Sequence, residues 1–546
     1  MHILKKEKLL YSLFFMLLAA CSDTYKESLD TTDGINGEEQ EESVIKADST
    51  MAITIDTSQK FQIMDGFSAS GAWTAEHIGK HWSQSNVNGI ARLMFSTEIK
   101  NGQPQGIGLT QWRVNLGGGS AEQGDDSGIE DETRRMECFL DEYGEYNWEK
   151  CKGAQNFMKA AKEHGCQDFV LYSATPPYFY TRNGKCYSSY GKDCNLQKDK
   201  YDDFADFMAT VAQHFEQEGY KISYISPVNE PQFNWDKGQG SGWRNSQVKN
   251  LVKELDAKLT EKGLSDTKIL IGEAAKWYYL YEQGTGTQKV ERERTLCIKD
   301  FFDPASAHYL GDLPHVPKLI CGHSYWTDLT WNRLQDVRSK VWEEAKKYGV
   351  RTYQTEWSMM EDGYEDCPDY KTADYMDISL AMAKVMYHDI ATANVSSWAY
   401  WSAMAQERWG QKNRFYLIRI IPDGGDYKPI TGNGTYQAGK NLWVLGNYSL
   451  FVRPGYQRVG LTIPNQNNKF FATAYLSPDE SKLVVVYTNC TEKSIKIENK
   501  YEGTNIAFKE LEQYTTSKIK DLQAEPVSSK GIIPARAVAT FIYKLK

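Results

Sequence analysis

The sequence has no excess of positive charge. Its 63 Lys and Arg residues are outnumbered by 72 Asp and Glu residues, which gives a formal net charge of -9 and a pI near 5.7. Proteins that bind nucleic-acid backbones rely on clustered Lys and Arg to displace counterions. We therefore expect no nucleic-acid partner, and a neutral ligand such as a glycan suits this charge better.

Motifs for metals and nucleotides are also missing. No CxxC or HExxH pattern occurs in the chain, so we predict no metal site and no cofactor. The run Gly117-Gly118-Gly119 lacks the Lys-Ser/Thr ending and the glycine spacing of phosphate-binding loops. The chemistry must therefore come from ordinary side chains.

Long apolar runs are scarce, and the one at residues 9–20 is too short to span a bilayer. Lysines precede it at positions 5, 6 and 8, as in a signal peptide. The sequence Leu18-Ala19-Ala20-Cys21 resembles a bacterial lipobox, so we predict a lipoprotein signal at residues 1–21 and a lipid on Cys21. The alternative is an ordinary signal peptide with an incidental cysteine.

Residues 22–50 contain little that a core could bury, so we predict a disordered tether. The protein would then be exported and anchored by its lipid to the bacterial outer membrane, at the cell surface or in the periplasm, as a monomer. Export permits disulfides, and nine of the ten cysteines remain after Cys21. The spacing favours a bridge between Cys186 and Cys194, followed by one between Cys138 and Cys151.

Two strand-like runs each end in a glutamate. The run at 224–228 ends in Asn229-Glu230-Pro231, and the run at 350–355 ends in Glu356. Ligands of parallel α/β folds bind at the carboxyl ends of strands, so both carboxylates should reach one site. Paired carboxylates are what glycosidic bond cleavage needs, because one protonates the leaving oxygen while the other attacks the anomeric carbon or activates water.

Together with three further motifs, these glutamates resemble glycoside hydrolase family 30, a retaining family. The motifs are MDGFSAS at 64–70, WRVNLGGG at 112–119, SATPP at 173–177, NEP at 229–231 and EW at 356–357. The resemblance covers roughly residues 50–546. It implies an α/β fold, a (β/α)8 TIM barrel with a C-terminal β-sandwich side domain that also takes the N-terminal strand. We place that strand at 51–63, the barrel at 64–439 and the side domain at 440–546.

The resemblance also implies roles for individual residues. Glu230 would be the acid/base and Glu356 the nucleophile, with Asn229 on the sugar 2-hydroxyl and Arg113 beside the nucleophile. His323 and Tyr325 would meet the nucleophile and substrate, and Trp401 would lie under the reactive sugar. Alternatives stay open: a structural ion pair for Arg113, a core hydrogen bond for His323, and Trp398 in place of Trp401.

Four more residues are candidate substrate contacts. Asp65 and Trp73 flank a glycine-rich loop, Glu273 is a third carboxylate at a strand end, and Trp235 lies in an aromatic, glycine-rich loop at 232–244. For Trp73 the alternative is a buried structural turn. For Glu273 it is a supporting position behind the site.

The loop at 232–244 resembles the endo-β-1,6-galactanase branch of the family. We therefore predict an O-glycosyl hydrolase, most like an endo-β-1,6-galactanase that acts on the side chains of arabinogalactan. A β-1,4-xylanase, a β-1,6-glucanase or another family 30 β-glycosidase is the alternative within the family. A non-catalytic, surface glycan-binding lipoprotein fits the 15 Trp and 34 Tyr, although stacking alone would not need two strand-end glutamates.

Overall fold

The computed structural model of the chain describes residues 46–188, 193–464, 466–502 and 508–545. The predicted signal peptide, Cys21 and nearly all of the predicted tether lie outside these ranges. Within them, no helix combines the length and apolar character needed to cross a bilayer.

A closed barrel of parallel strands forms the larger part of the molecule. Barrel strands 1 to 8 are Gly66–Ser70, Gln111–Leu116, Asp168–Ser173, Ile222–Ser226, Lys268–Ile269 with Ile271–Ala274, Leu319–His323, Arg351–Glu356 and Val395–Tyr400. Strand 5 is in two pieces, of which the first pairs with strand 4 and the second with strand 6. Strand 8 pairs with strand 1 and closes the ring.

The longer helices around the barrel carry apolar faces that the strands can bury. The helix Tyr201–Gln217, for example, buries Phe204, Phe207, Met208, Val211 and Phe215 at helical spacing. The helices are Thr74–His81, Gln84–Phe95, Ser120–Gln123, Lys152–Glu163, Tyr201–Gln217, Asn245–Glu261, Cys297–Phe302, Trp331–Tyr348, Tyr375–Ala391 and Lys440–Ser449. The last of these packs between helix Tyr375–Ala391 and two strands of the side domain, Phe508–Thr516 and Ala537–Leu545.

Two small sheets lie in the connections between barrel elements. Strands Met404–Ala405, Ile418–Pro422 and Gly434–Ala438 form one of them, within the long connection that follows strand 8. Strands Ile99–Lys100 and Gln103–Pro104 form the other.

The side domain is a continuous sheet of nine strands. They are Ser49–Ile63, Gln457–Thr462, Phe470–Leu476, Lys482–Asn489, Ile495–Glu502, Phe508–Thr516, Gln523–Ala524, Ile532–Ile533 and Ala537–Leu545. The sheet curls so that its halves face each other: Asn499 accepts from the hydroxyl of Tyr487 and donates to that of Tyr543. The domain has a core of its own. The predicted α/β fold, a barrel with a β side domain that takes the N-terminal strand, is confirmed.

The cysteines correct one prediction. All nine in the described residues are buried free thiols, so neither predicted disulfide is present. The sulfur of Cys186 lies 3.1 Å from the carbonyl oxygen of Gly118, and that of Cys194 lies 3.4 Å from the hydroxyl of Tyr201. Spacing along a loop limits the distance between two residues, but a bridge also needs their Cβ atoms to face each other.

Candidate active site

The two predicted glutamates meet at the carboxyl ends of the barrel strands. Glu230 follows strand 4 and Glu356 ends strand 7, and both side chains are buried. One carboxylate oxygen of each lies within 4.8 Å of the other. Inverting glycosidases separate their carboxyl groups by about 6.5–9.5 Å to admit a water, whereas retaining ones hold them about 5–5.5 Å apart. The geometry therefore fits direct attack by one carboxylate.

Arg113, from strand 2, lies beside Glu356 and links it to the rest of the site. Its Nη1 pairs with Glu356, and its Nη2 donates to Oδ1 of Asn229 at 3.0 Å. The same Nη2 is 3.7 Å from an oxygen of Glu273. Burial alone would lower the pKa of Arg113, but the charges of Glu356 and Glu273 raise it above its ordinary value. The guanidinium stays charged where the nucleophile needs a cation.

His323, at the end of strand 6, bridges two carboxylates. Its Nδ1 is 2.9 Å from Glu230 and its Nε2 is 2.9 Å from Glu273. Burial alone would lower the pKa of His323, but Glu356, Glu230 and Glu273 raise it to about 10. Both nitrogens then carry protons and donate. One ligand atom of each of Glu230, His323 and Glu356 lies within 4.8 Å of the others, a spacing that could also hold a metal ion.

Glu273 lies behind the site. Its carboxylate is fully buried and accepts from Ser226 at 2.9 Å, from Thr355 at 2.6 Å and from His323. Burial alone would raise the pKa of Glu273, but the charge of Arg113 and the hydrogen bond from His323 lower it to about 2. Of the two roles considered for Glu273, the structure favours the supporting position behind the site over substrate contact, because the carboxylate has no exposed surface.

The charge on Glu356 depends on its neighbours. The pKa of Glu356 is raised above its ordinary value, because burial outweighs the charges of His323 and Arg113, which lower it. The hydroxyl of Tyr325 also donates to Glu356, at 3.4 Å. In a low-dielectric site these contacts decide whether the carboxylate can act as a nucleophile.

The backbone is strained at two of the three carboxylates. Glu230 has φ of 42° and Glu273 has φ of 38°. Residues other than glycine adopt such angles rarely, at a cost of about 1–3 kcal/mol, and mainly at functional sites. The strain is consistent with an active site at these strand ends.

Aromatic rings form one wall of the cleft. The ring of Trp401, just after strand 8, meets that of Trp73 edge to face at 5.7 Å and that of Tyr172 at 6.1 Å. The Trp401–Ser402 peptide bond is cis. Trp398 is fully buried and donates to Asp389 of a surrounding helix, which leaves Trp401 as the strand-8 tryptophan at the cleft.

A second group of aromatic rings lies beside Glu230. The indole nitrogen of Trp235 is 3.3 Å from the backbone oxygen of Glu230. The ring of Phe233 is 5.6 Å from that of Trp235 and 5.9 Å from that of Trp326. A Cβ on Gly240 would lie 2.1 Å from the Trp235 ring, so only glycine lets the loop pack against it.

Asp65 lies at the other end of the barrel. It accepts from Arg351, which begins strand 7, and from the hydroxyl of Tyr353. Strand 1 has five residues and rises roughly 3.3 Å per residue, which separates Asp65 from the site by the length of the strand. The prediction that Asp65 contacts substrate is wrong, because proximity to a motif in sequence does not specify the end of a strand.

Several site residues escaped the sequence reasoning. Tyr172 lies under Arg113, with the guanidinium carbon 3.9 Å from the ring centroid. Ser226 and Thr355 hold Glu273, and Phe233 and Trp326 belong to the aromatic group beside Glu230. The signal that could have found Ser226 and Thr355 is a polar residue next to the end of an otherwise apolar barrel strand.

Comparison with known proteins agrees with this geometry. The profile of O-glycosyl hydrolase family 30 matches residues 50–411. An endo-β-1,6-galactanase from Hypocrea rufa is 24% identical over 468 residues, which are 81% of this chain and 82% of that protein.

Solved structures show the same fold. A conserved exported protein from Bacteroides fragilis has a TM-score of 0.81 at 30% identity, with coverage of 90% of this chain and 100% of that one. The catalytic domain of a family 30 xylanase C from Talaromyces cellulolyticus has a TM-score of 0.62 at 18% identity, with coverage of 90% and 100%. The chain belongs to O-glycosyl hydrolase family 30, and it is a glycosidase.

Proposed function

We propose that the protein is a retaining endo-β-1,6-galactanase that acts on the side chains of arabinogalactan. The observation that carries the retaining mechanism is the separation of the Glu230 and Glu356 oxygens, within 4.8 Å. The linkage is supported by the similarity to the Hypocrea rufa enzyme. The loop at 232–244, which contributes Trp235 to the cleft, supports it as well.

In the first step, Glu356 attacks the anomeric carbon and forms a glycosyl ester, while the C–O bond to the leaving sugar breaks. Glu230 donates its proton to the leaving oxygen. In the second step, Glu230 takes a proton from water, which attacks the anomeric carbon and releases Glu356. Two inversions leave the product with the configuration of the substrate.

The contacts of the site suit these roles. The ion pair with Arg113 favours the charged form of Glu356, which the attack requires. Oδ1 of Asn229 already accepts from Arg113, so the amide NH2 of Asn229 is the group left for the sugar 2-hydroxyl. His323 donates to Glu230 and stabilises the carboxylate that remains after Glu230 has given up its proton.

A panel of β-glycans tests the substrate. The purified protein is incubated with β-1,6-galactan, β-1,4-xylan and β-1,6-glucan, and new reducing ends are measured. We expect release from β-1,6-galactan as a ladder of oligosaccharides. Release from xylan or glucan alone would replace the proposed linkage, and binding without release would indicate a glycan-binding protein.

The anomer of the first product tests the mechanism. Proton NMR during the first minutes of hydrolysis should show the β-anomer accumulating before it equilibrates in water. Early accumulation of the α-anomer would contradict a covalent intermediate on Glu356.

We also propose export with a lipid on Cys21, which would tether a monomeric enzyme to the outer membrane. The proposal rests on the residues of the N-terminus, and the similar Bacteroides fragilis protein is described as exported. Growth with a labelled fatty acid should label the wild type, whereas Cys21→Ala should abolish labelling and move the enzyme out of the membrane fraction. An unlabelled wild type would contradict it.

A further inference from the structure

Two exposed aromatic side chains stand together on the loops that follow strand 8. Trp409 is 49% exposed and Tyr427 is 63% exposed. Their ring centroids are 5.8 Å apart and the rings are nearly perpendicular, at 78°. A tryptophan and a tyrosine paired in water present apolar faces and polar edges, which suits a ligand that is itself amphipathic.

The pair is held in place by hydrogen bonds between two loop segments. The backbone N–H of Trp409 donates to the hydroxyl of Tyr427 at 2.9 Å. Nearby, Arg408 donates to the carbonyl of Asp426 at 2.8 Å, and Gln406 donates to the same carbonyl at 2.6 Å. Rings fixed in this way lose little conformational entropy when a ligand stacks on them.

A series of charged and aromatic side chains leads from the cleft toward this pair. The Trp73 ring, which meets Trp401, lies 4.4 Å from the guanidinium carbon of Arg134. Arg134 also pairs with Asp131, with its Nε 3.9 Å from a carboxylate oxygen. The negative charge of Asp131 acts on Arg408 as well and opposes the lowering of its pKa by burial. Arg408 in turn lies 5.9 Å from the centroid of the Trp409 ring.

We infer that Trp409 and Tyr427, on the connection that follows strand 8, form a distal sugar-binding platform that holds a segment of the same β-linked glycan away from the bond that is cleaved. The inference rests on the proposed function. Sugar rings can stack their C–H faces on aromatic rings while their hydroxyls bond to guanidinium groups. A second point of attachment raises the effective concentration of a long chain at the catalytic glutamates, but a short oligosaccharide cannot reach it.

Kinetics on a long and a short substrate test the platform. Trp409→Ala should raise KM for polymeric β-1,6-galactan about five- to tenfold, since one ring stack is worth about 1 kcal/mol. Its kcat, and its kcat/KM for β-1,6-galactotriose, should stay within twofold of the wild type. Trp409→Phe keeps an aromatic face and should recover part of the polymer affinity.

Tyr143→Ala is the matched control, because Tyr143 is an aromatic residue with 81% exposure and none of the contacts described above. It should leave both substrates unaffected. Thermal unfolding of each variant checks that the fold is intact. The platform is refuted if Trp409→Ala and Tyr143→Ala have the same KM for the polymer. It is also refuted if a folded Trp409→Ala loses kcat/KM by the same factor on the polymer and on the trisaccharide.

Failure of the platform can be distinguished from failure of the galactanase proposal. If the wild type releases nothing from β-1,6-galactan, the galactanase proposal fails, and the platform is measured with the polymer and trisaccharide of the panel glycan that is cleaved. Retardation of Glu356→Gln, with and without Trp409→Ala, in gels that contain each polysaccharide gives the same comparison without turnover. Equal retardation of the two proteins in every gel would refute the platform.

Discussion

Two clusters of the same chemical type lie at the two ends of the barrel. The amino-terminal cluster joins the carboxylate of Asp65 to Arg351 and to the hydroxyl of Tyr353. The Arg351 side chain is 48% exposed and that of Asp65 is 27% exposed, so water screens the pair. One cation balances one carboxylate here, and such pairs are worth about 0–1 kcal/mol.

The carboxyl-terminal cluster joins Glu356 to Arg113 and to the hydroxyl of Tyr325. Two more carboxylates and His323 converge on it, and all of these groups are buried. In a buried site, a carboxylate can stay charged only where cations lie beside it, as Arg113 lies beside Glu356 and His323 beside Glu273. Burial and convergence, rather than residue type, separate the catalytic cluster from the structural one.

Removal of the nucleophile should have the largest effect. Glu356→Gln keeps the shape of the side chain but cannot form the glycosyl ester, so kcat should fall by about 10³-fold or more. The matched variant at the other end, Asp65→Asn, should stay within twofold of the wild type. Initial rates of reducing-end release measure both, and a Glu356→Gln rate within tenfold of the wild type would overturn the assignment.

Substitution of Arg113 and of Arg351 should have nearly as different effects on kcat. Arg113→Lys removes the fork that contacts Glu356 and Asn229 together, so kcat should fall about 10²- to 10³-fold. Arg351→Lys replaces a screened, partly exposed partner of Asp65, and its rate should stay within twofold. Similar losses in both variants would mean that the two clusters act alike.

Glu273 should contribute to the raised pKa of His323, together with Glu356 and Glu230. Glu273→Gln removes a negative charge 2.9 Å from Nε2, so the pKa of His323 should fall below the value of about 10 in the wild type. NMR of ¹⁵N-labelled histidine measures it, with Asp65→Asn as the control. An unchanged His323 titration would show that Glu273 does not hold the proton there.

The same shift predicts a dependence of stability on pH. The pKa of His323 is raised from 6.5 to about 10 in the folded protein. Its stabilising contribution is therefore fully present below about pH 6.5 and is lost as the pH rises through 10. Between pH 7 and pH 10, the free energy of unfolding in urea should fall more for the wild type than for Glu273→Gln. A steeper fall for Glu273→Gln would contradict this.

The smallest expected effect is on the free energy of unfolding when the ion pair of the amino-terminal cluster is removed. Asp65→Asn should lower the free energy of unfolding by no more than about 1 kcal/mol, because the lost ion pair is partly exposed. Urea unfolding at neutral pH measures it. A loss of several kcal/mol would show that this cluster is as dependent on burial as the catalytic one.

Much of the barrel could be predicted from the sequence. The strand-like run at 350–355 coincides with strand 7, Arg351–Glu356, because β-branched and aromatic residues favour strands. Glu230 and Glu356 follow such runs, so their place at one rim follows from parallel strand direction. The predicted role of Asp65 failed because the residue precedes its strand and so lies at the other end of the barrel. The predicted disulfides failed because spacing along a loop does not orient side chains.

Local sequence alone determined that glutamates stand at the ends of two buried strands and that the strands suit a barrel. Tertiary structure decided which carboxylate meets the cleft and which is sealed behind it. Arg113 reaches Glu356 across 243 residues of chain, and His323 lies between two carboxylates from other strands. Charge in a buried site depends on such neighbours and on the exclusion of water, and neither is encoded in any single stretch of sequence.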